Sequence, residues 1–399
     1  MVTSLNRKLK VLYSFPHKIG ASRICHTAWQ QVAGVSAAGA EITVFPGAVF
    51  KPLPSNIKVR PTLACGRFRI PYKLLGTVRA CALHDLIVSL RLEHMRDQVD
   101  VIHTWPLGAR RTLQTAARLG IPTVLERPNT HTRFGYEIVN AESKRLGIIL
   151  PHRDEHKYNA KILSIEEEEY NLADYILCPS DFVVRSFLRY GFKQEKLLRH
   201  IYGFDHNKFW PNLNAPVDRK FTLLFVGVCS VVKGLHFALE AWVNSIASTN
   251  GTFLIVGDFL PAYAEKLAKF LSHPSVKVLG FRKDIPEIMR QSHALVLPSL
   301  TEGFGLVVAE AMGSGCVPLV SESCTDICKH MVNSLVHPVG DVELLSRQIS
   351  TLSSDSLLLA KLRAGALRNV PEFTWDAAGR RLLQAYERAA GQITNRHGQ

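Results

Sequence analysis

The chain has 399 residues, a length that suggests two domains rather than one core, with 47% hydrophobic and 21% charged residues, as in ordinary soluble globular proteins. Its formal charge of +14 is uneven: residues 1–200 hold 29 Lys+Arg against 17 Asp+Glu, and residues 201–399 hold 19 against 17. A basic first half implies an anionic partner, whether nucleic acid, an acidic membrane surface or an anionic acceptor, with a merely solvated face as the plain alternative.

The opening MVTSLNRKLKVLYSF has basic residues but no apolar segment with a cleavage site after it, so VLYSF reads as a first buried strand and the protein is expected in the cytoplasm. No apolar stretch approaches the ~18 residues of a membrane span. Further strand-like runs are AEITVF, DVIHTW, PTVLERP and ADYILCPS. Between them ICHTAWQQVAGVSAAG and RRTLQTAARLG have helical patterning and end at glycine. Residues 50–94 are basic and partly amphipathic, expected either to pack on their own domain or to rest on anionic lipid headgroups. The acidic run from Glu166 to Glu169 reads as a solvated helix face.

The Pro- and Asn-rich stretch 202–220 reads as a linker. After it the rhythm restarts with FTLLFVG, GLHFALEAWVNSI, GTFLIVG, YAEKLAKFLS, VKVLG, IPEIMRQS, HALVLPS, LVVAEAMGSG and VPLVS. FTWDAAGRRLLQAYERAAGQ closes the chain as an amphipathic helix, followed by a polar tail expected to fray. This alternation predicts an α/β protein with two Rossmann-like, doubly wound domains facing across a cleft, over 1–202 and 203–374. The eight cysteines have no paired CxxC spacing, so neither a disulfide nor a zinc site is expected.

Residues 301–315, TEGFGLVVAEAMGSG, follow the apolar run HALVLPSL and look like a glycine-rich turn into a helix. Free backbone N–H groups and the helix dipole attract phosphate there, and glycine lets a ligand approach the backbone. Two carboxylates stand in the same stretch, Glu302 and Glu310. Either alone reads as a helix-stabilising charge; together they suit a ligand that carries hydroxyl-rich rings beside its phosphates, such as a sugar nucleotide.

With seven residues between them, Glu302 and Glu310 match the EX7E signature, and the chain resembles retaining glycosyltransferases of the GT-B fold, family 4. The resemblance extends over HALVLPSLTEGFGLVVAEAMGSGCVPLVS, FVGVCSVVKGLHFALEAW, FLIVGD, VKVLGFRKDIPEIM and ADYILCPSDFVVRSFLRYGF. It implies that Glu310 binds the ribose hydroxyls of a donor nucleotide and that Glu302 sits beside the transferred sugar. Gly303, Phe304, Gly305 and Leu306 would offer backbone amides, and Lys233 would neutralise the departing diphosphate. Gly227 belongs to the same phosphate loop, but Val228 stands where the family usually has arginine, so the grip on diphosphate is expected to be thinner unless Arg282 or Arg127 substitutes. Gly20 takes the place of the family's glycine loop in the first domain. At the level of the family's sugar-contacting histidine this chain offers Glu126 or His131; His103 reads rather as a core histidine. The last helix, about 375–392, is expected to return to the first domain.

The resemblance thus implies a metal-independent, retaining transferase using a UDP- or GDP-linked sugar, with a glycan or lipid-linked acceptor and peripheral contact with anionic membrane. A nucleotide-sugar epimerase of the same fold, or a weakly active homologue, is the alternative. Nucleic acid is not expected, because no reading motif accompanies the basic half. No GxGxxG follows the first strand, which disfavours a dehydrogenase.

Overall fold

The computed structural model describes residues 7–65, 68–70, 75–152, 154–212 and 220–394, so part of the expected linker and most of the polar tail lie outside the described residues. Two all-parallel sheets are present, as the alternation of short apolar runs and helices requires. The first has the order β3-β2-β1-β6-β7-β8-β9. Its strands are β1 (Lys10–Ile19), β2 (Glu41–Val49), β3 (Lys58–Val59), β6 (Val101–Thr104), β7 (Thr123–Glu126), β8 (Tyr175–Cys178) and β9 (Leu197–Arg199). A separate small hairpin joins β4 (Ala64–Cys65) to β5 (Phe68–Arg69).

The second sheet has the order β12-β11-β10-β13-β14-β15. It comprises β10 (Thr222–Val226), β11 (Thr252–Val256), β12 (Val276–Gly280), β13 (Ala294–Leu297), β14 (Val317–Ser321) and β15 (Leu335–His337). Every residue of β6, β7, β8 and β13 is buried, because helices cover both faces of a parallel sheet. Strands β3, β9 and β15, unpredicted above, are only two or three residues long, too short to show a period.

Strand order reverses between β1 and β6 in one sheet and between β10 and β13 in the other. Loops leaving the carboxyl ends at such points splay apart and leave a crevice. Helix Thr77–Glu93 commits Val88 and Leu92 to a core shared with Leu12, Phe45 and Ile102, while Arg79 and Arg91 on its other face are exposed. Packing on its own domain is therefore what this part of 50–94 does.

Helix Trp375–Thr394 crosses back to the first domain, where Leu382, Ala385, Tyr386 and Ala389 join Val11, Val32 and Val101 in one core. It crosses helix Ile24–Ala37 at two glycines, and a Cβ on Gly379 would overlap the Gly34 carbonyl carbon. Tyr386 and His103 are hydrogen-bonded at 2.7 Å with His103 fully enclosed, so His103 is a core residue.

Helix Thr132–Leu146 and the loop before it join the domains. Val139 of that helix packs with Leu150 against Val232, and Glu142 accepts a hydrogen bond from His236 at 2.8 Å. Farther along, Arg199 pairs with Asp326 at 2.6 Å.

Candidate functional site

In the second domain the loops after β10 and β13 lie side by side at the reversal of strand order. Leu300 N–H donates to the Val232 carbonyl at 2.8 Å. Gly234, at φ +67°, runs so near Pro298 that a Cβ would overlap its carbonyl oxygen. This close approach sets Lys233 opposite Glu302, and the two form an ion pair. The lysine side chain is 27% exposed and the glutamate 13%, so the pair is reachable but poorly solvated. Burial works against the ammonium, yet the Glu302 carboxylate outweighs it and holds the Lys233 pKa above the usual lysine value. Lys233 is a fixed cation at neutral pH.

Past Glu302 the ring of Phe304 turns inward, edge-on to Tyr202 at 5.7 Å, so that residue has only backbone to offer a ligand. Gly305 starts helix Leu306–Gly313, and no side chain caps it. The first-turn N–H groups, Leu306 among them, are left at the positive end of the helix dipole. Glu310 is one turn further on. Its carboxylate accepts no hydrogen bond from the described residues. Burial pushes its pKa up to about 7, with Lys208 acting the other way and Asp205 adding to the rise. Gly227 supports the neighbouring loop backbone against Gly257, and Val228 is 41% exposed, an uncharged residue where the resemblance leads one to look for arginine.

In the first domain the crevice between β1 and β6 holds a cavity of ≈ 280 Å³. It is lined by His17 from β1, Trp105 and Leu107 after β6, Arg127 and Thr130 after β7, and Tyr136 and Glu166 from helices. Burial lowers the His17 pKa to about 4, so this imidazole is neutral at physiological pH. Arg127 folds back on its own turn, donating to the Thr130 carbonyl from Nε at 2.9 Å and Nη2 at 2.7 Å, and pairs with Glu166 at 3.4 Å. The Thr130 hydroxyl meets that of Thr301 at 2.9 Å. Gly303 passes beneath the same turn, where a Cβ would overlap the Pro128 carbonyl oxygen. The cavity thus ends on the stretch that carries Glu302.

Several expected site residues lie elsewhere. Glu126 does not face the cavity: it is fully enclosed, accepting from Gln31 at 2.8 Å, His200 at 2.9 Å and Tyr202 at 2.7 Å. Burial would raise its pKa, but His200 and the other donors outweigh that and lower it, so Glu126 is a buried carboxylate that ties strands together. His131 caps helix Thr132–Leu146, accepting from Arg133 N–H at 3.2 Å, with its ring enclosed by Tyr170, Phe187, Tyr190 and Phe192. Alternation along β7 and the cap geometry turn both side chains away and present Arg127 instead. Arg282 does not replace the missing arginine, because its guanidinium forks onto Asp284 at the exposed surface, at 2.8 and 2.5 Å. Nor does Arg127, which is held by Glu166. Gly20 forms the turn after β1, its N–H donating to the Cys25 carbonyl at 2.8 Å, and it packs against Lys51.

The acidic run is also corrected. Glu167 and Glu168 make surface pairs with Arg133 and Arg110, but Glu166 and Glu169 are buried. Glu166 accepts from Thr132 and Arg127, and Glu169 accepts the backbone N–H groups of Leu107 at 2.7 Å and Ala109 at 2.9 Å. The spacing held the signal: 166, 169 and 170 share one helix face, and Tyr170 on it is apolar enough to be core.

Residues 220–355 match the profile of the family described as Glycosyl transferases group 1. N,N'-diacetylbacillosaminyl-diphospho-undecaprenol alpha-1,3-N-acetylgalactosaminyltransferase of Campylobacter jejuni is 30% identical over 189 residues, covering 46% of this chain and 49% of the relative. The chain thus aligns with about half the length of that relative. D-inositol 3-phosphate glycosyltransferase of Thermobispora bispora is 24% identical over 388 residues, 89% of this chain and 87% of the relative. Among solved structures, HepE of Anabaena in complex with UDP-glucose superposes with a TM-score of 0.62 at 18% identity, covering 95% of this chain and 99% of that one. Sucrose-phosphate synthase of Thermosynechococcus elongatus gives a TM-score of 0.69 at 18% identity, covering 97% and 100%.

Proposed function

We propose that this chain, which has the GT-B fold, is a glycosyltransferase of the glycosyl transferases group 1, and we infer its donor, its acceptor and the course of its reaction. The donor is a nucleotide-linked sugar. Lys233 neutralises its departing diphosphate, the uncapped start of helix Leu306–Gly313 faces the same phosphates, and Glu310 accepts hydrogen bonds from the ribose hydroxyls. Glu302 holds Lys233 charged and in place until the diphosphate takes over that ion pair, and then faces the sugar. The observation that carries this reading is the Lys233–Glu302 pair, presented by two hydrogen-bonded loops at the reversal of strand order.

The acceptor is a glycan attached to a lipid, and its sugar ring enters the first-domain cavity. Support comes from the lining, where Trp105 and Tyr136 offer flat apolar faces and the exposed Asn129 and Glu155 offer polar partners. It comes also from the names of relatives that act on undecaprenol-diphosphate sugars, such as the Campylobacter enzyme and an Escherichia coli UDP-Gal:alpha-D-GlcNAc-diphosphoundecaprenol alpha-1,3-galactosyltransferase. A role in cell-envelope glycan synthesis follows. We further propose that the reaction retains anomeric configuration and uses no metal, with Lys233 and backbone amides supplying the positive charge. An epimerase is disfavoured, since the relatives are named as transferases.

Thermal shift of the intact chain with UDP, GDP and their sugars tests the donor. A rise in Tm with one nucleoside diphosphate, undiminished by EDTA, is expected. No rise with any of them would overturn the reading, and a rise abolished by EDTA would overturn its metal-free part.

A further inference from the structure

A second hollow of ≈ 380 Å³ lies on the first domain, between helix Thr77–Glu93, the start of helix Arg110–Leu119 and helix Ala160–Leu172. Four cationic side chains surround it, Arg79, Arg110, Arg111 and Lys161, all exposed. Arg110 reaches Glu168 at 3.1 Å, whereas Arg79, Arg111 and Lys161 form no ion pair among the described residues, Arg111 acting on the Asp85 carboxylate only through space. The two carboxylates at its floor are already used. Asp85 accepts the N–H groups of Arg111 at 2.7 Å and Thr112 at 2.9 Å, capping that helix, and Glu169 holds Leu107 and Ala109. The backbone donors here are therefore satisfied, and what remains unanswered is side-chain positive charge.

This hollow and the 280 Å³ cavity share a wall, Leu107. Leu107 sits at φ +67°, a conformation unfavourable for a residue with a side chain, and its N–H is fixed on buried Glu169. The Pro106–Gly108 turn is wedged against Pro16, where a Cβ on Gly108 would come within 2.9 Å. A held, strained turn separates a ring-sized cavity from a cationic hollow beside it. A ligand with a sugar at one end and phosphates next to it would span both.

We propose that the cationic hollow bounded by Arg79, Arg110, Arg111 and Lys161 binds the phosphate groups of the acceptor while its sugar occupies the adjoining cavity. This rests on the reading that the acceptor is a lipid-linked glycan, and it adds where the charged link between sugar and lipid is held. The basic excess of the first domain then has a specific recipient, and the lipid leads away over the exposed face of helix Thr77–Glu93.

Farnesyl diphosphate and farnesol serve as probes, titrated calorimetrically into the intact chain with the donor site saturated by whichever nucleoside diphosphate binds. Farnesyl diphosphate should bind and farnesol should not. The double variant Arg79→Ala/Arg111→Ala, both exposed positions, should bind farnesyl diphosphate about tenfold more weakly with unchanged nucleotide affinity and Tm. Equal affinity in the variant, or equal binding of farnesol, would overturn the proposal. Vesicles of phosphatidylcholine with one-third phosphatidylglycerol separate the two sources of phosphate. A loss confined to vesicles would mean that the residues read a lipid surface rather than the acceptor, and would also overturn it. Because nucleotide affinity is read independently, failure here is distinct from failure of the donor reading.

Discussion

The two domains repeat one architecture and use it differently. In the second, charge is local and spare: Lys233 and Glu302 face each other across two loops, and Glu310 accepts no hydrogen bond among the described residues of a nearly neutral domain. In the first, carboxylates of similar appearance, Glu126, Glu166 and Glu169, are consumed by the fold, and the exposed positive charge lies outside the core. A carboxylate at the end of a parallel strand is thus not by itself a catalytic group; what matters is whether its donors are already inside the protein.

That contrast can be broken experimentally. Lys233→Ala should show the largest effect, lowering turnover on the sugar nucleotide by about 10²–10³-fold, as removal of one stabilising donor does elsewhere. Release of the nucleoside diphosphate is the readout, and undiminished turnover would remove the lysine from the reaction. Next, Glu310→Ala should weaken nucleotide binding by roughly 10–100-fold, the worth of hydrogen bonds to a charged group, measured by calorimetry. If it instead lowered stability with affinity intact, Glu310 would resemble the first-domain carboxylates.

Glu126→Ala is the converse. It leaves His200, Tyr202 and Gln31 without their shared acceptor, so the cost should be about 3 kcal/mol of stability, seen as a lower Tm, with nucleotide affinity unchanged. A variant of normal stability and lost turnover would restore Glu126 as a site residue. The smallest effect concerns pH. Because burial raises the Glu310 pKa from its ordinary 4.5 to about 7, the folded state holds a proton that the unfolded chain has released between those values. Stability therefore falls as pH rises through that window. Glu310→Gln should raise Tm by roughly 2 °C at pH 8 and by nothing at pH 4. An equal gain at both values would place the strain elsewhere.

What could be read from the sequence follows the same division. Glu302 and Glu310 were legible as a pair because they share one loop and helix, whereas Lys233, 69 residues earlier, stood out only by following a strand and preceding Gly234, and its contact with Glu302 is a finding of the structure. The sheets were legible from apolar runs of four or five residues, and β3, β9 and β15 were not, being shorter. In the first domain, function depends on where a side chain points. Whether β7 turns Glu126 inward or Arg127 outward is decided by partners at 31, 166, 200 and 202, which no local pattern reports. The burial of Glu166 and Glu169 was hidden by the two half-buried glutamates between them, which reach the surface.

The return of helix Trp375–Thr394 to the first domain has a consequence for biosynthesis. Tyr386, Leu382 and Ala389 complete a core that begins with β1, so the first domain keeps an uncovered apolar flank until helix Trp375–Thr394 has been made. The second domain can close while the first still waits. Termination before Trp375 therefore damages the half already made, through material encoded after the whole second domain.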